Sequence, residues 1–275
     1  MTESEPPMSE INRCALLDTD FISKLYITKA NDSDRFIFRI LGIPGFRFIC
    51  HEQTKIELGR YNQWATKWLK EDSGVTIYTD RQLSERLINS FGDTAYGIYV
   101  DKLKKSCNIF SSTFFETYYK PLEQYIEDAW GAYNLDVFIS LIEGCDIIIG
   151  EDNNLGEIKL YTTAQVLDQL GESQLYVFCS DDRKARYSMS TNANAECVSA
   201  LSSFYLAKKY LSLDKAEAKI FFDSWMAYHR SHKQEHFRVY SKNGDQQPKL
   251  LGEDIFEMLY NEELYLMKDG LLRIS

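Results

Sequence analysis

The chain has 275 residues, of which 44% are hydrophobic and 26% charged, and it carries a formal net charge of −10. That length suits one large domain, or a domain with a substantial insertion, and leaves only the polar start "TESEPPMSE" as a loose tail. The charge excludes broad, non-specific coating of nucleic acid, because the summed field repels phosphate at long range, but it is compatible with a local basic groove and with carboxylates gathered about a divalent cation.

No apolar stretch approaches the roughly 18 to 20 residues of a membrane span, and the N-terminus lacks the basic-then-apolar order of a secretion signal. A cytoplasmic protein with no membrane partner is expected. The cysteines at 14, 50, 107, 145, 179 and 197 include no C-x-x-C pair, so they are expected to be buried inert thiols and not a zinc or disulfide framework.

In chain order, "INRCALL" (11 to 17) predicts a buried strand ending on Asp18-Thr19-Asp20, and "FISKLYITKA" predicts a helix directly after it. "LGIPGF" is a loop, "RFIC" a short strand, and "HEQTKIELGRYNQWATKWLK" a helix with Ile56, Trp64 and Trp68 on its apolar positions. From about 72 to 150 the amphipathic, Tyr- and Phe-rich sequence predicts a helical insertion or lid whose aromatics form core. "LGEIKLYTTAQVLDQLGE" then predicts a helix ending at Gly171, with Glu157, Leu160 and Ala164 on one inward face, followed by the strand "QLYVFCS". "AECVSALSSFYLAKKYLSLDKAEAKIFFDSWMAYHR" predicts one or two helices, "KNGD" a turn, and "EDIFEMLYNEELYLM" a final helix.

Strands alternating with helices through short turns imply an α/β class with a parallel sheet, in which the residues just past the strands' carboxyl ends line the functional crevice. Asp18 with Asp20, Glu57, Glu157 and the pair Asp181-Asp182 fall near that edge. Several inward carboxylates repel one another unless protonated or bound to a cation, and an all-oxygen set without matching His or Cys points to Mg²⁺ or Mn²⁺. Such ions activate water for phosphoryl displacement, which is nuclease chemistry.

"LLDTDFISKL" resembles the opening strand and turn of PIN-domain nucleases, and "LGEIKLYTTAQVL" followed by "LYVFCSDDRKAR" is similar to the prokaryotic pattern of that family. The resemblance covers roughly 11 to 60 and 150 to 210. It implies a three-layer α/β/α fold with a central parallel sheet over 11–215, interrupted at about 72–150, with a mixed, largely helical C-terminal extension at 216–275. It also implies a Mg²⁺- or Mn²⁺-dependent endoribonuclease, with toxin, defence or RNA-processing as the setting. By position, Asp18 matches the first acid, Glu57 the helix acid, and Glu157 the L-G-E acid. Glu52, directly after the strand, is the poorer match for the helix acid. The family's Thr-x-Asp ending maps onto Ser180-Asp181-Asp182, which makes Asp182 the ligand and Asp181 its supporting neighbour or a cap.

Three basic clusters are candidates to meet substrate: Lys102-Lys104-Lys105, Arg183-Lys184-Arg186 beside the acids, and "HRSHKQEHFR". The second is placed to hold phosphates flanking the scissile one. His229, His232 and His236 share one face at helical spacing, where they predict a surface for RNA or a partner rather than a metal site. Neither a phosphate-binding glycine loop nor a nucleophile elbow occurs. Single-stranded DNA as an alternative substrate, a homodimer or inhibitory partner docking on the insertion, and a PIN-like module that binds without turnover all remain open.

Overall fold

The structure, a computed structural model, describes residues 13–129, 131–150 and 154–275. The tail read from "TESEPPMSE" lies outside the described residues. Five strands, Arg13–Leu17, Arg47–His51, Thr76–Tyr78, Gln174–Cys179 and Glu196–Val198, form one all-parallel sheet. Arg13–Leu17 is central, flanked by Arg47–His51 and then Thr76–Tyr78 on one side, and by Gln174–Cys179 and then Glu196–Val198 on the other. The chain therefore winds outward one way, returns to the centre, and winds outward the other way. Cys14, Ala15, Leu16 and Leu17 are all buried without alternation, as a strand covered on both faces must be. The helix Leu155–Gln169 packs on the three central strands. From the opposite face, Ala15, Cys179 and Val198 share an apolar pocket with Phe21, Ile40 and Leu206, which come from the helices Thr19–Ile27, Phe36–Leu41 and Ala200–Leu211. The architecture is thus α/β, a parallel sheet with helices on both faces.

Several elements differ from the sequence reading. Thr76–Tyr78, inside the stretch expected to be wholly helical, pairs in parallel with Arg47–His51 and forms one edge of the sheet. The segment 52–71 is two helices, Glu52–Tyr61 and Gln63–Glu71, broken at Asn62. Asn62 donates its N–H to Leu58 O while its side chain accepts from Ala65 N at 3.0 Å, so one residue ends the first helix and caps the second. The break shifts the helical phase, which leaves Ile56 and Trp64 47% and 75% exposed although Trp68 is buried. "ECV" is the last sheet strand and not the start of a helix; Ser199 then caps Ala200–Leu211 through a reciprocal pair with Ser202. The final helix stops at Tyr260, and Leu264–Leu266 pairs with Leu272–Ile274.

Helices Asp80–Phe91, Thr94–Phe110, Phe114–Tyr118, Lys120–Ala129 and Leu135–Ile149 occupy most of 79–150. They are joined to the sheet layer through one buried cation. Lys159 is 1% exposed and its Nζ stands 2.8 Å from both Asp80 Oδ2 and Asp146 Oδ2. Tyr99 donates its hydroxyl to Asp80, and Tyr119 donates to Asp146 at 2.5 Å. Burial works against these charges, yet Lys159 and His51 hold Asp80 below the usual carboxylate range. Asp80 and Asp146 likewise hold the Lys159 ammonium above its ordinary value despite burial. Removing one partner from such a set typically costs about 3–5 kcal/mol, because a charge is left buried alone.

All six cysteines are free and buried, and burial pushes the Cys50 thiol up to about 12. No helix among the described residues is long and apolar enough to cross a membrane.

The turn between Leu264–Leu266 and Leu272–Ile274 covers the other edge of the sheet. Cys197 N donates to Lys268 O at 2.8 Å, and Arg186 donates from Nε to Asp269 O at 3.0 Å and from Nη1 to Ser180 O at 2.8 Å. Gly270 has φ +80°, and a Cβ there would fall 2.8 Å from Arg186 Cδ and 3.2 Å from the Cys197 carbonyl carbon. Gly270→Ala is therefore expected to destabilise the protein by on the order of 2 kcal/mol, combining left-handed strain with displacement of Arg186. A urea midpoint equal to that of wild type would contradict this packing.

Candidate functional site

In a sheet wound both ways from its centre, the strands beside the reversal leave a crevice past their carboxyl ends. Here that reversal lies between Arg13–Leu17 and Gln174–Cys179. The two strand ends are joined by Asp18 N donating to Cys179 O at 2.9 Å, and Ser180 N joins the second of them to the next strand through Val198 O at 3.0 Å. A cleft of about 470 Å³ opens there, and Asp18, Asp20, Glu57, Glu157 and Asp182 all line it.

Each acid is delivered by a different local device. Asp18 is the N-cap of Thr19–Ile27; its Oδ1 accepts from Thr19 N at 2.7 Å and its Oδ2 from Ser180 Oγ at 2.8 Å. Glu57 accepts from Thr19 Oγ1 at 2.8 Å and from Gln53 Nε2 at 3.0 Å. It lies directly over Gly156, where a Cβ would fall 2.8 Å from Oε2 and 3.0 Å from Oε1. The glycine of "LGE" thus lets two helices approach until Glu57 stands beside Glu157. Asp182 is exposed on the open side and caps Arg183–Asn192, accepting from Lys184 N and Ala185 N through Oδ1. That cap leaves its second oxygen as the one able to turn toward a cation.

Asp181, the other half of the pair, faces elsewhere. It binds the Lys24 ammonium and accepts from Ala200 N at 3.0 Å, and Lys24 holds it below the usual carboxylate range against the effect of burial. The cap of the following helix belongs to Asp182 and not to Asp181. Glu52 pairs with Lys55 at 2.6 Å.

The electrostatics reflect crowding of like charge. Burial, then Asp20 and Glu157, raise Asp18 well above the ordinary carboxylate range. Burial and then Asp181 raise Asp20. Burial pushes Glu157 up to about 7, with Glu57, Asp182 and Asp20 adding to it against a backbone hydrogen bond that favours the charged form. All-oxygen donors whose charges oppose one another suit a hard cation such as Mg²⁺ or Mn²⁺. Among the described residues, however, no group of three or more His, Cys, Asp and Glu side chains stands as a ready-made ligand set.

The proposed basic contacts divide. Arg183 and Lys184 are exposed beside Asp182, with Arg183 donating to Gln247 at 2.7 Å. Arg186, expected to meet phosphate, is 3% exposed and committed to backbone carbonyls, so it braces the site from behind. Lys104 and Lys105 pair with Glu123 and Asp101 at 2.6 and 2.7 Å, and Arg230 pairs with Glu253. The three histidines share no face. His229 is buried against Trp225, His232 lies over Tyr228, and His236 belongs to the strand His236–Arg238 because the preceding helix ends at Ser231.

The sequence reading paired Asp20 with Asp18 but gave no site role to Thr19, Lys24 or Gly156. Helical spacing after "LLD" carried a signal for Asp20 and Lys24, which are two and six residues past Asp18. Nothing local signalled Gly156, whose role exists only opposite Glu57. Compared with protein families, curated proteins and solved structures, the chain matches none.

The raised acids make a prediction about metal-free stability. The folded value of about 7 for Glu157 lies above its ordinary 4.5, so between those values the folded protein keeps a proton that the unfolded chain has released. Stability therefore falls as pH rises through that window, by on the order of 2–3 kcal/mol from Glu157 once pH exceeds 7. Asp18 and Asp20 act with the same sign, whereas Asp80 and Asp181, being lowered, contribute changes only in more acid solution. In EDTA, the melting temperature is expected to drop between pH 5 and pH 8, and Glu157→Gln is expected to flatten part of that drop.

Proposed function

We propose that the chain is a PIN-like, Mg²⁺- or Mn²⁺-dependent endoribonuclease. The observation that carries this reading is that Asp18, Glu57, Glu157 and Asp182, from four separate elements, line one cleft at the reversal of a parallel sheet. Those four are the proposed metal ligands, and Asp20 stands among them. A divalent ion held by them would supply charge neutralisation for the scissile phosphate and lower the pKa of an attacking water.

The chain's own residues do the remaining work. Ser180 and Thr19 fix the carboxylates of Asp18 and Glu57, so that the repelling groups do not swing apart. Arg60 and Lys24 line the same cleft, and Arg183 and Lys184 extend positive charge along its open side. Tyr61 and Tyr228 also line it, with Tyr61 76% exposed, which supplies an apolar face suited to a nucleotide base. Hydrolysis breaks one phosphorus–oxygen ester bond as water oxygen bonds to phosphorus; the water's proton leaves to solvent or to a cleft carboxylate, and the departing sugar oxygen takes up a proton from solvent to become a hydroxyl.

A second reading, a PIN-like binding module without turnover, is favoured by the lack of a ready-made ligand set among the described residues. Single-stranded RNA and DNA incubated with Mg²⁺, Mn²⁺ or EDTA separate the two. Cleavage is expected only with metal, and Asp18→Asn is expected to slow it by on the order of 100-fold or more, the equivalent of several kcal/mol. Gly156→Ala, which pushes Glu57 off its seat, is expected to slow it as well. Binding of nucleic acid without cleavage under any metal supports the second reading; equal rates for Asp18→Asn and wild type sink the assignment of the centre.

A further inference from the structure

The cluster around Lys159 lies outside the cleft, and its chemistry is unused by the proposed reaction. Its topology relative to the acids is specific. Glu157 and Lys159 are two residues apart on Leu155–Gln169. Glu57 sits on Glu52–Tyr61, whose N-cap is His51 through Nδ1, which accepts from Gln53 N at 3.1 Å. Because Nδ1 is an acceptor, the neutral ring carries its proton on Nε2. Nε2 is buried and stands 3.2 Å from Asp80 Oδ1, an electrostatic contact and not an aligned hydrogen bond. The other oxygen of Asp80 binds Lys159 at 2.8 Å.

One carboxylate therefore touches both acid-bearing helices, the first through its cap and the second through a lysine one half-turn from its acid. Asp80 itself opens the helix Asp80–Phe91 directly after the edge strand Thr76–Tyr78, so its position is tied to the sheet. Thr79 and Gln82 cap that helix reciprocally, which fixes Asp80 in its first turn. The contact across the two helices is close: a Cβ at 156 would fall 2.8 Å from Glu57 Oε2, so a larger residue there displaces that carboxylate. A small drift of either helix changes the Glu57 to Glu157 separation directly.

We propose that Asp80, with His51 and Lys159, forms a buried clamp of positioning residues that sets the spacing of Glu57 and Glu157 and thereby the divalent-metal affinity of the cleft. This inference rests on the metal-dependent reading of the cleft. It assigns the segment 79–150 a share in the site without any of its side chains reaching substrate. Asp146 is the second carboxylate on the Lys159 ammonium, and the hydroxyls of Tyr99 and Tyr119 donate to Asp80 and Asp146.

The test is calorimetric titration of the full chain with Mn²⁺ alone. Three variants separate the roles. His51→Asn keeps an N-cap acceptor for Gln53 N but loses the group facing Asp80. Lys159→Met keeps length and loses charge. Tyr119→Phe removes a hydroxyl that touches Asp146 and neither acid-bearing helix. His51→Asn and Lys159→Met are expected to weaken Mn²⁺ binding about tenfold, as loss of groups that orient ligands does, while Tyr119→Phe stays within about twofold of wild type. Should Lys159→Met fail to fold, His51→Asn decides alone, its urea midpoint checked beside that of Tyr119→Phe. Wild-type affinity in a folded His51→Asn protein overturns the clamp, as does an equal loss in Tyr119→Phe, which marks general loosening. A wild-type protein that binds no Mn²⁺ overturns the metal-dependent reading and the clamp with it.

Discussion

Five carboxylates facing one cleft repel one another, and the surrounding frame has to hold them together against that force. The frame does so in layers. Backbone hydrogen bonds from Asp18 to Cys179 and from Ser180 to Val198 lock three adjacent strand ends side by side. Hydroxyls then pin individual acids: Ser180 on Asp18, and Thr19 on Glu57. The residual strain appears as the raised protonation of Asp18, Asp20 and Glu157. Placing the same acids on the surface would be far less costly.

A second concentration of charge lies behind the first and has the opposite logic. Around Lys159 the signs alternate, every charged group has a partner, and the tyrosine hydroxyls supply donors toward the excess carboxylate. One cluster pairs charges of opposite sign, the other gathers like charges at the cleft, and the helix Leu155–Gln169 passes through both. That shared helix explains why the segment 79–150 is not a detachable lid. Its first helix follows a sheet strand, and its buried acids grip the helix that carries Glu157.

Positive charge is distributed with similar economy. Several of the clustered cations are paired with nearby acids, as Lys104, Lys105 and Arg230 are. Arg186 is drawn inward to satisfy the carbonyls of Ser180 and Asp269, which ties the C-terminal strands to the loop that presents the last acids. Arg183 and Lys184 alone of that run remain at the surface beside the cleft. A run of basic residues in sequence is therefore a poor guide to a basic surface, because burial and pairing act residue by residue.

The sequence by itself determined the α/β class, the strand "RCALL" with its terminal aspartate, the helix of "LGEIKL" with Glu157 in its first turn, and the strand leading to Asp181-Asp182. Those features are local: an unbroken apolar run, a helical period and a polar stop each leave a mark within ten residues. It did not reveal the break at Asn62, because the residue serves two helices at once and the apolar period on either side looks continuous. Thr76–Tyr78 and Glu196–Val198 escaped for a related reason, being three-residue edge strands whose identity comes from pairing and not from pattern. Only the tertiary structure decided that Asp181 turns to Lys24, that Arg186 is internal, and that Gly156 makes room for Glu57. Each of these depends on a partner that is distant in sequence or on which way a side chain turns, and no local periodicity encodes either.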